Sequence, residues 1–301
     1  MSNFVRNQAG DDFNKARNKA LFNEIQNFLT PDKRRLLSFH DVKQILKPKN
    51  EVYAGMQTVP IDKIVGSEGR YQDFDSHFLP RVNNLRQRWE RVDEARLTDT
   101  VLPPIQLYEL GGLYFVRDGN HRVSVAKAQG VAFIDAEVIS LKSEVILKKD
   151  ITRESILSEV VKFEKRVFYS ETGFGDITDY WNLDFTTPGQ YDVIYNHILV
   201  HKYYINETRS DEIPFADAVL SWYKNVYLPV MHVIKKHRML KRFRGRTASD
   251  LYVWIIKQWD DLKQKYGVEY SLDEATRTLA ENSPKGLFAR AAAWFKKNIQ
   301  T

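Results

Sequence analysis

The residues best suited to chemistry lie in the segment VRDGNHRVSVAKAQG, residues 116–130. Five consecutive positions there hold an acid, a glycine, an amide, a histidine and an arginine, directly after a strand-like run. A helix that begins near Asn120 or His121 exposes unpaired backbone N–H groups and the positive end of its macrodipole, and both attract anions. Gly119 permits close approach of the backbone, and Arg122 adds a cationic donor. This combination is typical of a phosphate-binding turn.

A second interpretation of the same residues is purely local. Asp118 and Asn120 are both common in turns and at helix starts, so they could simply form the turn and cap the helix. His121 and Arg122 would then be satisfied by neighbouring groups. The spacing alone leaves both interpretations open.

The patterns around this turn predict a small mixed domain, from about residue 56 to residue 142. LPPIQLYEL and LYFVRD flank a Gly-Gly turn as a hairpin, while TVPIDKIV and FIDAEVI are further strand-like runs. Two polar segments between them have helical spacing, and the second is closed by Gly130. On that helix three residues are predicted to pack inward and two to face solvent or a ligand: Val123, Ala126 and Ala128, and then Ser124 and Lys127.

Helical periodicity dominates the rest of the chain. Residues 11–47 fit two helices, with a Thr-Pro start at Thr30, and residues 150–169 fit another. Breaks in the helical pattern after Tyr191 are predicted at Pro214, Pro229, Gly245, Gly267 and Pro284. The predicted organisation is an N-terminal helical segment (1–55), the mixed domain (56–142), a linker with a helix (143–190) and an all-α domain (191–301).

Composition narrows the class of protein. A chain of 301 residues with 43% hydrophobic residues is expected to form two domains, and its 13% aromatic content argues against disorder. The absence of cysteine excludes disulfides, thiolate metal sites and cysteine nucleophiles. No run of eighteen apolar residues and no signal-peptide core are present, so a cytoplasmic protein without a transmembrane segment is expected.

The order VPIDKIV, LPPIQLYEL, YFVRDGNHRVSVAKAQG and IDAEVI resembles the ParB/sulfiredoxin superfamily over roughly residues 56–142. The resemblance implies an α+β fold: a ParB/sulfiredoxin-like mixed sheet domain, here with N-terminal helices and an all-α C-terminal domain. In that superfamily the turn after the strand binds nucleotide phosphates, as in CTP-hydrolysing partition proteins, ATP-using sulfiredoxins and free-serine kinases. It therefore implies that ATP or CTP binds with Mg²⁺. The implied phosphate contacts are Gly119, Asn120, His121 and Arg122, with Asp118 near the metal or the nucleotide.

The departures from this superfamily are informative. Sulfiredoxin chemistry needs a cysteine that this chain lacks, and residues 150–190 contain no convincing helix-turn-helix of the kind that partition proteins place there. The serine kinases are similar at one more place, the acidic Glu68 in VGSEGRYQDFD. The resemblance implies that Glu68 is the base for phosphoryl transfer. The alternative is that Glu68 is only a solvated loop residue. Arg70 is the preferred phosphate partner in that loop, where Tyr71, Asp73 and Asp75 could also line the cleft.

Two functional hypotheses follow. The first is a nucleotide-binding protein, an NTPase or a small-molecule kinase, with Glu68, Asp118 and His121 in catalytic roles. The alternative is a DNA-associated ParB-like regulator of transcription or partition. Over residues 55–265 the chain also resembles a bacterial family in which a ParB-like domain is joined to a helical domain of unknown function, through RYQDFDSHFLP, RQRW, YDVIYNHILVHKYYI and AVLSWYKNVYLPVMHVI. That resemblance implies a bacterial cytoplasmic protein and no particular reaction.

The helical half holds histidine pairs and a basic stretch. His197 and His201 share a helix face, and His232 and His237 follow later, but no carboxylate accompanies them at a familiar spacing, so no metal site is predicted. Residues 235–246 contain seven Lys or Arg and no acid, which suits nucleic acid, an anionic membrane or an acidic partner, or simply a solvated helix face. The residues predicted to contact nucleic acid are Lys241, Arg242, Arg244 and Arg246.

The segment SPKGLFARAAAWFKKNIQ near the end of the chain has the pattern of an amphipathic helix. It is expected to dock on its own protein, with a second subunit or a membrane surface as alternatives. A homo-oligomer is therefore possible.

Overall fold

The structure, a computed structural model, describes residues 2–26, 36–149, 151–207, 209–241 and 243–266 of the 301. The chain divides into two compact units, residues 1–156 and 157–301. The predicted helix start at Thr30 and the amphipathic segment near the C-terminus lie outside the described residues. Within the described ranges, no helix combines the length and apolar character that crossing a membrane requires.

One sheet organises the first unit. Its six strands, counted over the described residues, are β1 (Leu37–Ser38), β2 (Asn50–Pro60), β3 (Ile64–Ser67), β4 (Ile105–Leu110), β5 (Leu113–Asp118) and β6 (Phe133–Lys142), in the order β1-β3-β5-β4-β6-β2. The pairs β1/β3, β3/β5 and β4/β6 are parallel, and β4/β5 and β2/β6 are antiparallel. The sheet is mixed, and with the helices it makes the α+β fold that the sequence predicts.

The hairpin of β4 and β5 forms as the sequence indicates. Gly111 and Gly112 both have positive φ, +64° and +82°, as a tight two-residue hairpin turn requires. Ile105 and Leu107 on β4 are buried, and Leu107 lies opposite Val116 of β5 in the core. The alternation of buried residues along β4 and the two-glycine turn therefore favour the same pairing register between β4 and β5.

The predicted strand TVPIDKIV divides into parts of two strands. β2 begins at Asn50 and ends at Pro60, and a 3-10 turn over Ile61–Lys63 leads into β3. Proline has no N–H to continue a ladder, and β2 is the edge strand that pairs only with β6.

Three helices of the first unit pack together beside the turn after β5. They are α1 (Ser2–Gln26), α3 (Arg86–Leu97) and α4 (Asn120–Ala128); α2 (Phe39–Leu46) follows β1. α3 contacts both α1 and α4. Trp89 of α3 is fully buried, packs edge-on against Phe13 with ring centroids 5.7 Å apart, and donates its indole N–H to the Ser124 hydroxyl at 2.9 Å. Ser124, predicted to face solvent or a ligand, is instead buried as the acceptor for this indole.

The second unit is helical in all its described regular structure. It holds α6 (Phe174–Thr178), α7 (Gln190–Asn206), α8 (Phe215–Trp222), α9 (Leu228–Lys236), α10 (Ala248–Tyr266) and most of α5 (Arg153–Thr172). Its core is rich in aromatic side chains, among them Trp222, Tyr227, Tyr252 and Trp254. This is the all-α part that the sequence predicts.

The predicted break at Pro229 is wrong. A π-helical turn over Tyr223–Tyr227 joins α8 to α9, and Pro229 lies at the start of α9. Proline lacks an N–H and its ring crowds the carbonyl one turn back, so a locally widened turn lets the helix pass through it. Pro214 does precede a helix start, and Gly245 lies between α9 and α10.

Removing the acceptor of the buried indole tests how α3 and α4 are joined. Ser124→Ala leaves the Trp89 N–H without a partner, and the free energy of unfolding of the first unit should fall by about 1–3 kcal/mol. The measurement is urea unfolding followed by tryptophan fluorescence. Ser76→Ala, at a hydroxyl that bonds only at the surface, is the control and should stay near the parent. Equal losses in both variants would contradict the role of the buried hydrogen bond.

Candidate functional site

The site begins where two parallel strands end. β3 pairs with β5 through Gly66 opposite Phe115 and Ser67 opposite Val116, and the Glu68 N–H extends the ladder by donating to the Val116 carbonyl at 2.9 Å. Neighbouring parallel strands deliver their carboxyl ends to the same edge of a sheet, which is the usual place for ligands in such sheets. The loop after Ser67 and the turn after Asp118 therefore lie side by side.

The turn leaves the start of α4 without a side-chain cap. Gly119 takes φ +103° and ψ 22°, and a Cβ there would lie 2.5 Å from Cγ2 of Ile105. The first helical bond runs from the Val123 N–H to the Gly119 carbonyl at 3.0 Å, and no side chain caps the first turn. The local interpretation, with Asp118 or Asn120 as a cap, is therefore not how the helix starts. N–H groups at the positive end of the dipole remain available to an anion.

A cavity of about 490 Å³ opens at this point. Its lining comes from the loop after β3, from α3, from the loop before β4, and from the turn after β5: Gly69, Arg70, Arg88, Val92, Leu102, Pro103, Arg117, Asp118, Gly119, Asn120, His121 and Arg122. Arg70, Arg88 and Arg117 reach it from three different elements. The arrangement is strongly electropositive, with one lining carboxylate.

Two buried polar side chains of the helix start have atoms without partners. Asn120 and His121 are 8% and 5% exposed, and Oδ1 of Asn120 and Nδ1 of His121 have no hydrogen-bond partner among the described residues. An amide can exchange its oxygen and nitrogen by rotation, and a neutral imidazole can carry its proton on either nitrogen. Both residues line the cavity, and each holds a buried polar atom that no described residue satisfies.

The protonation of His121 reflects the same surroundings. Burial, followed by the positive charges of Arg88 and Arg70, lowers the pKa of His121 to about 4, although Asp73 opposes the shift. Its ring also packs edge-on against Phe74, with centroids 5.6 Å apart. At neutral pH this imidazole is uncharged.

Arg122 has local partners. Its guanidinium donates to the Pro103 carbonyl, to the Pro104 carbonyl at 2.9 Å, and to the Asp118 carboxylate. It lines the cavity but already binds three acceptors, so it acts mainly by fixing the loop before β4 against the turn. For this residue the local interpretation describes the geometry.

The loop after β3 contributes less than its polar composition suggests. Arg70 lines the cavity and pairs with Asp73 at 3.1 Å, whereas Glu68 is not among the lining residues. Burial raises the pKa of Tyr108, and the charge of Glu68 adds to this, so Glu68 lies near that phenol. Asp75 is buried and accepts the N–H groups of its own loop, from His77 and Leu79.

Lys127, predicted to face solvent or a ligand, points away from the cavity. Its ammonium donates to the Ile64 carbonyl at 2.7 Å and lies 4.9 Å from the centroid of the Phe78 ring. Burial lowers the pKa of this lysine to about 8. It holds α4 against the start of β3.

Sequence reasoning did not select Arg88 and Arg117. Arg117 is the extra residue of a β-bulge in β5. Gln106 of β4 pairs with Asp118 and the next residue, Leu107, pairs with Val116, so Arg117 has no partner opposite it on β4. A bulge redirects a side chain that regular alternation would place elsewhere. Arg88 lies within a highly charged helix, and its one local signal is Val92, which is one turn further along and also lines the cavity.

The predicted residues of the second unit have other surroundings. His197 contacts the Tyr252 hydroxyl at 3.3 Å and His201 the Ser221 hydroxyl at 2.9 Å, so these two histidines have different partners. No group of three or more potential ligands in the described ranges is placed to hold a metal ion. Lys241 and Arg244 are exposed, Arg246 donates to the Thr186 hydroxyl at 2.6 Å, and Arg242 lies outside the described residues.

Two other cavities are less suited to an anion. One of about 620 Å³ adjoins the site, shares Leu102, Pro103 and Arg122 with it, and has the carboxylates of Asp99 and Asp135 in its lining. Another, of about 510 Å³, lies at the end of α7, where Lys202 is already paired with Glu212.

Comparison with known proteins yields one weak structural similarity. No family model and no curated protein matches the chain. The chain is similar to a solved structure described as a Pnob8-like ParB-N domain, at 11% identity, over 83% of this chain and 99% of that one, with a TM-score of 0.22. A TM-score this low does not indicate a common fold. The fold assignment therefore rests on the strand order and the sequence of elements in this chain.

The two glycines that flank α4 separate backbone strain from crowding. Gly119→Ala and Gly130→Ala both place a side chain at positive φ, which costs roughly 1–3 kcal/mol. At Gly130 a Cβ would meet nothing within 4 Å, whereas at Gly119 it would overlap Ile105. Urea unfolding should therefore show a clearly larger loss for Gly119→Ala, and equal losses would contradict the close approach.

Burial of His121 predicts a specific acid sensitivity. The unfolded chain takes up a proton near pH 6.5 and the folded chain only near pH 4, so stability is lost as the pH falls through this window. The loss from this group should be roughly 3 kcal/mol. Unfolding measured across the window should show a smaller fall for His121→Gln than for the parent. His77→Gln, at an exposed histidine, is the control and should keep the parent's dependence.

Proposed function

We propose that the first unit is a ParB/sulfiredoxin-like domain that binds the polyphosphate of a nucleotide, ATP or CTP with Mg²⁺, in the cavity at the start of α4. The observation that carries this proposal is the convergence of Arg70, Arg88 and Arg117 on an uncapped helix start. Guanidinium groups and free backbone N–H groups are the two kinds of donor that proteins use most for phosphate.

Size and charge support a phosphate ligand. The cavity of about 490 Å³ falls within the range of roughly 300–1,000 Å³ for small-molecule sites. Asp118 is the only carboxylate among its lining residues in the described chain, and that side chain is paired with Arg122. Arg88 and Arg117 can then bind an incoming anion, together with Arg70, which also pairs with Asp73.

The residues present fit a magnesium ion that arrives with its nucleotide. Mg²⁺ in nucleotide sites is held mainly by phosphates and water, with one or two protein carboxylates. Asp118 can serve as that carboxylate, since its side chain is 60% exposed at the mouth of the turn. When bound, the ion would neutralise phosphate charge.

The fold assignment is supported by the order of elements in the sequence. A strand, a polar loop with a helix, a hairpin and then an Asp-Gly turn that opens a helix are the features in which the chain resembles this superfamily, and the structure contains them in that order. Sulfiredoxin chemistry stays excluded, because the chain has no cysteine.

Catalytic roles for Glu68, Asp118 and His121 stay predictions. A base must lie within hydrogen-bond reach of the proton it accepts, and Glu68 is not among the residues lining the cavity. His121 is neutral and buried at the helix start, a position suited to donating a hydrogen bond to a ligand. The geometry therefore supports nucleotide binding more directly than it supports catalysis.

The test is a thermal-shift panel of ATP, CTP, GTP and their diphosphates with and without Mg²⁺. A ligand that binds only the native protein raises its melting temperature. Arg88→Ala should weaken binding about 10- to 100-fold, since a charge-assisted hydrogen bond contributes roughly 1.5–3 kcal/mol. Arg91→Ala removes the same charge from an exposed position of α3 outside the cavity and is the matched control.

The pattern of results separates specific from general attraction. Binding lost in Arg88→Ala and kept in Arg91→Ala supports the site. No nucleotide-dependent shift in the parent protein, or equal weakening in both variants, would contradict it.

A further inference from the structure

The basic loop, residues 235–246, lies in the second unit, outside the cavity of the first. The acid-free part of the sequence is longer than the loop itself: residues 218–249 contain no Asp or Glu and eight Lys or Arg. Like charges this dense repel one another unless they are solvated or meet a counter-charge. No neighbour in sequence offers such a counter-charge before Asp250.

Three contacts hold the basic loop against the helical core. Met239 is buried, the Phe243 ring contacts the Trp254 ring with centroids 5.9 Å apart, and Arg246 donates to the Thr186 hydroxyl at 2.6 Å. The two apolar anchors and the arginine alternate with the remaining cations along the chain. Arg246, predicted to contact nucleic acid, is therefore an anchor of the loop.

The last anchor belongs to a wider polar network. Asp250, at the start of α10, is buried and accepts the N–H and the hydroxyl of Thr186, at 3.0 and 2.8 Å. The same carboxylate accepts the Thr247 N–H at 2.9 Å, and the Thr247 hydroxyl accepts the Asp250 N–H at 3.1 Å, so the two residues form a capping box at the start of the helix. This network commits Asp250, the first carboxylate that follows the basic loop in sequence, to contacts with Thr186 and Thr247.

The cations of the basic loop other than Arg246 are presented to solvent where the structure describes them. Five of them are exposed and none forms a salt bridge within the described ranges: Lys235, Lys236, Arg238, Lys241 and Arg244. Arg238 takes a left-handed conformation, with φ +50°, at the point where the chain leaves α9. A fixed loop with five unpaired cations loses less conformational entropy on binding a polyanion than a free tail would.

We infer that the basic loop is a docking surface for the phosphate backbone of duplex nucleic acid. Membrane binding needs several apolar side chains that face outward, but Met239 is buried, Phe243 packs on Trp254, and Leu240 is the one exposed apolar side chain among the loop's described residues. Stacking on single-stranded bases needs exposed aromatic rings, and the one aromatic residue of the loop is used as an anchor. Cations without neighbouring stacking groups bind the phosphate backbone of a nucleic acid and do not discriminate between base sequences.

The experiment measures anisotropy of a fluorescein-labelled DNA duplex of random sequence, about 20 base pairs or two helical turns long, with the full chain. The test variant combines Lys236→Gln, Lys241→Gln and Arg244→Gln. The control combines Lys63→Gln, Lys142→Gln and Lys148→Gln, which removes the same charge from exposed positions of the first unit. Melting temperatures of both variants, measured alongside, show that each is folded.

The parent should bind with an affinity that falls steeply with salt. In the test variant the dissociation constant at low salt should rise at least about 10-fold, and the salt slope should fall by about 2–3, since each phosphate contact contributes roughly 0.9. The control should stay near the parent. Equal effects of both variants, absence of duplex binding, or tighter binding to anionic vesicles or to polyglutamate than to DNA would overturn the inference.

Discussion

The parallel pairing of β3 with β5 is the constraint on which the candidate site depends. It brings the end of a strand at Ser67 beside the end of a strand at Asp118, although the hairpin and α3 separate them in sequence. Because both strands end at the same edge of the sheet, Arg70 and the start of α4 line the same cavity. An antiparallel neighbour would have sent the two loops to opposite edges.

Three side-chain contacts hold α4 in place. Trp89 binds Ser124 within the core, Lys127 binds the carbonyl of Ile64, and Arg122 binds the loop before β4. Most polar side chains of α4 are therefore used to fix the helix. An anion site gains from this, because donors that are already positioned need little reorganisation when charge arrives.

The two units place positive charge in different ways. In the first, cations from separate elements converge around a concave site, where a compact polyphosphate can contact several of them together. In the second, the basic loop presents cations side by side along an outward surface, which suits an extended partner with regularly spaced charges. Fixed geometry in both cases comes from buried neighbours: the core around Trp89 in one, and the Thr186–Asp250 network in the other.

The sequence alone determined part of the secondary structure. The Gly-Gly hairpin, the Asp-Gly turn that opens α4 and the helical second half follow from turn chemistry and periodicity, which act over a few residues. It also favoured Arg70 as a phosphate partner. Only the tertiary structure decided that Arg88 and Arg117 join it, that Ser124 is buried, and that Arg246 is an anchor. Strand order, a bulge and helix packing set these positions, and such interactions join residues far apart in the chain, where local patterns carry no information.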